Sequence, residues 1–331
     1  MRKIMMNFSK QNTNILFVRS GLGNPYDILE TSIIHHFKKE IQYFHSILPD
    51  QNLLNVAKTF QPNLIIFFSG FNVSTNDLTT LKEMGYYTAV WLLDDPYITD
   101  ITQAMAPIYD FVFTVEKGCI EFYKSLGCQN VHFLPLAVDP DIFHFKNELD
   151  IKYQTDVLFI GNAHPDRLLF FNTIEHELVK RNMKIIGPNW DKLGNFRLRE
   201  NILVNNWVSA EETSKYYNGA KIVINMHRSV NNPEINQNHI RIKAISMNAR
   251  TFEIAACGAF QLTDVREELI NVYIPGDDIA TYTTPNDLLE KIDYYLLHED
   301  ERRRMASNAI KKTLQTETYT ERIKQLLDIV N

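Results

Sequence analysis

Residues 155–167 read TDVLFIGNAHPDR. Four consecutive apolar residues, Val157 to Ile160, leave no polar face to this strand. A strand covered on both sides belongs inside a parallel sheet with helices above and below it. The run stops at Gly161, and Pro165 is well placed as the first residue of a helix. Strand, glycine turn, helix is half of a βαβ unit, so the stretch sets the expectation of an α/β fold.

The same pattern repeats in both directions. Toward the N-terminus stand NILFV (14–18), IQYFH (41–45), NLIIFF (63–68), YYTAVWLL (86–93), DFVFTV (110–115) and NVHFLP (130–135). Helical patterns near 26–39, 50–60, 75–84, 97–108 and up to Gly127 separate them. Toward the C-terminus come a helix over 165–181, MKIIG (183–187), ILVNN (202–206), a helix over 210–218 and KIVINM (221–226). An Asn-rich polar loop, 227–246, precedes NARTFEIAACGAFQLTD (248–264), a short helix and a strand-like run. A loop of that length inside an α/β half is functional or disordered. Helices near 285–298, 299–315 and 318–330 close the chain. The alternation pauses once, at the proline-containing PLAVDPDIFHF (135–145), which reads as a linker. At 331 residues the chain exceeds what one core usually supports. The expected fold is α/β, with two Rossmann-like doubly wound domains facing a cleft.

The composition is 45% hydrophobic and 22% charged, with a formal net charge of −6. This suits a globular protein and speaks against a nucleic-acid binder, which needs a basic face. The apolar runs are too short for a transmembrane segment, and MRKIMMNFSKQNTN lacks the apolar core of a signal peptide. The three cysteines, Cys119, Cys128 and Cys257, have no redox or zinc spacing. A cytoplasmic, reducing setting follows as the expectation.

In doubly wound sheets ligands bind at the carboxyl ends of the strands. In NARTFEIAACG, Asn248 suits an N-cap and Gly258 a C-terminal stop. Arg250 and Glu253 share one face of the helix between them. An Arg at a helix N-terminus opposes the macrodipole, so an anion is its expected partner; a surface ion pair is the plainer alternative. A Glu beside it can accept two hydroxyls, as from a ribose. Gly161, Asn162 and Arg167 form a second candidate phosphate turn, or an ordinary strand–helix turn. SGLGN (20–24) carries Gly21, Gly23 and Asn24 and has two of the three glycines of a dinucleotide fingerprint. WLLDDP (91–96) ends a buried strand in Asp94 and Asp95. Strand alternation lets at most one reach a ligand, where it could act as a general base. INMHRS puts Asn225, His227 and Arg228 at the end of a further strand.

PLAVDPDIF (135–143) resembles the linker of GT-B glycosyltransferases, and VLFIGNAHPDR resembles the strand and phosphate turn opening their second domain. NARTFEIAACGAFQLTD, followed by DIATYTTPNDLLEKIDYYL (278–296), is similar to the CgeB-type spore maturation family, as is WLLDDP. The resemblance covers nearly the whole chain. It implies the GT-B architecture, with an acceptor-side domain over 1–140 and a donor domain over 141–316. A final helix, 317–331, would cross back to the first domain. It implies transfer of a hexosyl or N-acetylhexosaminyl group from a nucleotide-sugar, UDP-linked by family habit, to an acceptor it does not name. The nucleotide-sugar is a substrate, and neither cofactor nor metal is expected. Glu253 matches the ribose-binding glutamate; Arg250 and Arg167 would hold the diphosphate, with Gly161, Asn162, His164 and Thr251 around it. Asn225, His227 and Arg228 join the donor site, and Asn206–Ser209, including Trp207 and Val208, matches the turn that reads the base. Asp94 and Asp95 stand where related enzymes carry a catalytic His. Related families carry a second glutamate eight residues before Glu253; here that residue is Ile245. That departure leaves stereochemistry open and admits a non-catalytic nucleotide or sugar binder, associated with the spore, as the alternative. An unrelated two-domain oxidoreductase or epimerase is the third reading, disfavoured by the incomplete glycine fingerprint.

Overall fold

Six parallel strands form the first sheet: β1 (Asn14–Val18), β2 (Tyr43–Ile47), β3 (Leu64–Phe68), β4 (Tyr87–Leu92), β5 (Phe111–Thr114) and β6 (Val131–Phe133). In this computed structural model, which describes residues 13–194, 202–204 and 207–331, their order is β2-β1-β3-β4-β5-β6. Every residue of β3 is buried, as a strand apolar at consecutive positions requires. The helices that cross between strands are α1 (Tyr26–Glu40), α2 (Leu53–Phe60), α3 (Thr75–Glu83), α4 (Thr99–Met105) and α5 (Ile120–Ser125). The sequence reading places β2 two residues early. Ile41 instead ends α1, buried and with its N–H on Phe37 O, while the edge strand begins at Tyr43 with an exposed side chain.

The second sheet is also all parallel, in the order β12-β11-β10-β7-β8-β9. Its strands are β7 (Thr155–Ile160), β8 (Met183–Gly187), β9 (Ile202–Val204), β10 (Ala220–Asn225), β11 (Gln261–Asp264) and β12 (Ala280–Tyr282). The helices are α6 (Pro165–Leu178), α7 (Ala210–Gly219), α8 (Ala249–Ala256), α9 (Pro285–Leu297) and α10 (Glu299–Thr316). Local chemistry fixes their starts. Pro165 opens α6, and the Ser209 hydroxyl accepts from Glu212 N at the head of α7. Asn248 caps α8 by accepting from Thr251 N at 3.0 Å, and Gly258 leaves it at φ +67°. The core of this unit, with Phe159, Phe171, Trp190, Leu262 and Tyr282, is apolar and rich in aromatic side chains.

The chain divides into two compact units. The first holds residues 1–136, 233–246 and 319–331; the second holds 137–232 and 247–318. The last helix, α11 (Tyr319–Val330), packs on α1 within the first unit, where His36 Nδ1 lies 3.0 Å from Thr320 Oγ1. The Asn-rich loop is divided as well. Its part 233–246, which sequence reasoning leaves with the second half, belongs to the first unit. Carboxylates hold it there: Asp100 accepts from His239 N at 3.1 Å, and Glu116 accepts from Ile245 N at 3.1 Å and Ser246 N at 3.2 Å. Asn205 and Asn206, expected at the end of a strand and in the base-reading turn, lie outside the described residues, as does the 1–12 stretch read for a leader. Among the described residues no helix is long and apolar enough to cross a membrane. All three cysteines are buried free thiols.

Candidate functional site

In the second sheet the chain winds from β7 outward to β9, then returns to the other side of β7 with β10. The direction of winding reverses between β7 and β10, and a crevice opens at the carboxyl ends of two such strands. Arg167, in the first turn of α6, spans that point. Its Nη1 donates to Asn162 O at 2.9 Å, after β7, and its Nη2 to Met226 O at 2.6 Å, after β10. Arg167 is only 4% exposed, and its Nε has no partner among the described residues. Burial and the nearby Arg250 pull its pKa down to about 10. Arg250 approaches from α8. A Cβ placed on Gly161 would stand 3.1 Å from Arg250 Nη2 and 3.2 Å from Arg167 Nη1. Glycine at 161 therefore gives two guanidiniums room to converge. Among the described residues neither lies within ion-pair distance of a carboxylate. Two guanidiniums this close, neither ion-paired among the described residues, suit an anion.

A buried amide network holds Arg250 in place. The Asn225 amide donates to Asn248 Oδ1, Thr251 Oγ1 and Gln261 Oε1 at 3.2, 3.0 and 2.8 Å. Its oxygen accepts from Asn248 at 3.1 Å and from Arg250 Nη1 at 3.4 Å. Asn225 and Thr251, expected at the donor site, are fully buried, and their side chains hydrogen-bond within this network. Glu253, one helical turn after Arg250, is half-buried. Burial pushes its carboxyl up to about 7, against the opposing pull of Arg250. Its carboxylate accepts no hydrogen bond among the described residues.

Beyond the amide network lies a histidine–carboxylate pair. The register Asn225↔Thr263 sets the end of β10 beside that of β11. Asp264 thereby accepts from His227 N at 2.9 Å and meets His227 Nδ1 at 2.6 Å. Arg266 lies 3.6 Å from Asp264 and donates to Arg228 O at 3.0 Å. Burial raises the Asp264 carboxyl, but His227 and Arg266 more than offset it, and it stays below its ordinary value. Burial, aided by Arg266 and Arg250, pulls His227 down despite Asp264. His164, at the turn before α6, is pulled down to about 4 by burial and by Arg167, Arg228 and Arg250. Trp207 is exposed beside half-buried Val208, just before α7. The sequence signal for the Asp264–His227 pair is that both residues follow adjacent strands; their separation by 37 residues conceals it.

The first unit reverses its winding between β1 and β3. Gly21 and Gly23 have φ of +67° and +75°, which glycine adopts without strain. The loop is tied at its start: buried Glu30 accepts from Ser20 N, Ser20 Oγ and Arg19 Nε, each at 2.6 Å. Asn72, after β3, donates to Ser20 O at 2.9 Å. Past Asn24 the loop leads to Tyr26, whose hydroxyl donates to Asp94 Oδ2 at 2.5 Å. Asp94 is half-buried. Asp95, grouped with it as a catalytic candidate, is 3% exposed and turned inward. It accepts from Thr114 at 2.6 Å and Tyr123 at 2.7 Å, and burial pushes its carboxyl up to about 7. With both Asp95 oxygens so engaged, the pair does not present two open carboxylates to a metal. Ile245, where related families place a glutamate, lies in the first unit with its N–H on Glu116.

Comparison with known proteins gives these edges a context. Residues 167–328 match the family model described as glycosyl transferase-like. Sucrose-phosphate synthase from Thermosynechococcus elongatus superposes with a TM-score of 0.67 at 9% identity, covering 96% of this chain and 98% of that one. A glycosyltransferase from Rickettsia africae gives 0.66 at 11% identity, covering 97% and 98%. Anabaena HepE, solved in complex with UDP and glucose, gives 0.64 at 10% identity, covering 96% and 98%. The fold is thus that of the GT-B glycosyltransferases. The spore protein CgeB of Bacillus subtilis (strain 168) is 33% identical over 315 residues, spanning 93% of this chain and 95% of CgeB. The chain belongs to the CgeB family of glycosyltransferase-like proteins.

Proposed function

We propose that the protein transfers a sugar from a nucleotide-diphosphate donor, a UDP-sugar, to an acceptor hydroxyl without a metal ion. The observation that carries this reading is the convergence of Arg167 and Arg250 on Gly161, neither within ion-pair distance of a carboxylate among the described residues. Fixed cations at that point suit the charge that develops on a leaving diphosphate, the task a metal performs in other transferases. Glu253, half-buried and accepting no hydrogen bond, suits the two ribose hydroxyls. Trp207 and Val208 flank the base. Asp94 takes the acceptor proton, since Asp95 is fully engaged inside its unit. The choice of UDP is supported by HepE, a GT-B neighbour solved with UDP-glucose. The description of the curated relative as a spore protein supports spore-surface glycosylation as the setting.

Release of UDP from UDP-glucose or UDP-N-acetylglucosamine, followed over hours, tests the reading. Slow hydrolysis is expected in the wild type and its loss in Asp94→Asn. Binding of UDP with no turnover of any UDP-sugar would assign the fold to a non-catalytic binder instead.

A further inference from the structure

The histidine after β10 has one ring nitrogen satisfied and one not. His227 Nδ1 lies 2.6 Å from Asp264, whose carboxyl is held below its ordinary value and is therefore an ionised acceptor. The proton on this ring must then sit on Nδ1. His227 Nε2 is buried and has no hydrogen-bond partner among the described residues. An acceptor left bare in a protein interior destabilises the fold, and such atoms in native structures call for an explanation. Asp264 Oδ1, itself held by the His227 backbone N–H, orients the ring through Nδ1–H. The neighbouring residue, Met226, gives its carbonyl to Arg167. The bare nitrogen thus belongs to a residue at the same strand end as the two converging guanidiniums.

We infer that His227, oriented by Asp264, accepts a hydrogen bond from a hydroxyl of the donor sugar and so determines which sugar is held. This rests on the donor reading above. Its logic is one of matching donors to acceptors. A neutral imidazole with Nδ1–H committed to Asp264 offers only a lone pair at Nε2. A diphosphate is all acceptors and cannot meet it. The ribose hydroxyls are donors to Glu253. The base has one donor, the uracil N3–H, but it goes with Trp207 and Val208 after β9, three strands along the sheet from β10; the donors left for this strand end are the hydroxyls of the sugar. A site with a buried, fixed acceptor rejects analogues lacking the matching hydroxyl more strongly than an apolar pocket can.

The test compares UDP with UDP-glucose, UDP-galactose and UDP-N-acetylglucosamine by calorimetry on wild type and His227→Asn. Asn keeps an N–H for Asp264 and deletes the outer nitrogen. The expected result is unchanged UDP affinity and a loss of about tenfold in the affinity of the preferred UDP-sugar, the scale of one hydrogen bond to a buried acceptor. Equal UDP-sugar affinity in both proteins would overturn the inference. Parallel loss of UDP and UDP-sugar would overturn it too, because it places His227 at the nucleotide. No binding of any nucleotide to the wild type would remove the donor reading, and this inference with it. Should His227→Asn fail to fold, nitrogen NMR of the histidines in the wild type decides. The His227 Nε2 resonance should be that of an unprotonated nitrogen and should move with UDP-sugar but not with UDP. A protonated Nε2, or one that moves equally with both, contradicts the assignment.

Discussion

At the carboxyl edge of the first sheet stand three buried carboxylates, Glu30, Asp95 and Glu116, and the chain itself supplies hydrogen bonds to each. Glu30 holds Ser20 and Arg19; Asp95 holds Thr114 and Tyr123; Glu116 holds Gly118, Ile245 and Ser246. That edge leaves one neutral hydroxyl over among the described residues, Ser69 Oγ after β3; the same edge of the second sheet leaves titratable and charged groups over. Arg167 keeps a bare Nε and His227 a bare Nε2, while Glu253 accepts nothing. A buried polar group costs stability unless it is bonded, so closed networks belong to architecture and leftover groups to a ligand. The contrast explains why two adjacent aspartates, alike in sequence, part company: Asp95 is a strut, and Asp94 remains at the surface.

The largest expected effect tests the closed edge. Asp95→Ala removes the buried acceptor of the Thr114 and Tyr123 hydroxyls, leaving them only Glu116 and Thr102, and should cost about 3 kcal/mol in chemical denaturation, with UDP affinity unchanged. Intact stability with lost UDP binding would invert the comparison. Next comes the open edge. Arg250→Ala should weaken UDP by about 2 kcal/mol, the scale of a charged hydrogen bond, and leave the melting temperature nearly unaltered. Smaller is a pH effect. Asp95 has a folded pKa of about 7 against an ordinary 3.8, so the folded state binds the extra proton between these values. Its contribution to stability is therefore full below about pH 4 and is lost as pH rises through 7. Asp95→Asn should flatten that part of the stability–pH curve; an unchanged curve would show that Asp95 does not titrate there. The smallest effect falls on the residue bonded to Asp94. Tyr26→Phe should lower sugar transfer by about fivefold, one net hydrogen bond, at constant KM. A change in KM alone would make Tyr26 a binding residue.

Much of the fold is legible because buried parallel strands are apolar at consecutive positions. NILFV and MKIIG coincide with β1 and β8, and TDVLFIG extends one residue past β7. The edge strand β2 is displaced because its side chains are half exposed and Ile41, though apolar, serves the end of α1. The short α8 is readable from Asn248 and Gly258, since caps are local chemistry. The path of 233–246 is not readable. It depends on Asp100 and Glu116, more than a hundred residues away, accepting from backbone N–H groups that every sequence has. The same holds for the site. Arg250, Glu253 and Arg167 announce themselves as charges at strand ends, but nothing local tells Asp94 from Asp95 or pairs His227 with Asp264. Those distinctions come from which neighbours tertiary packing provides.

The most direct measurement is calorimetric titration of UDP into the wild type and into the Arg167→Ala/Arg250→Ala double variant, with both confirmed folded by circular dichroism. The account predicts saturable binding to the wild type and none to the double variant at millimolar nucleotide. Equal binding by the two proteins, or no binding of UDP, GDP or TDP to the wild type, would contradict it.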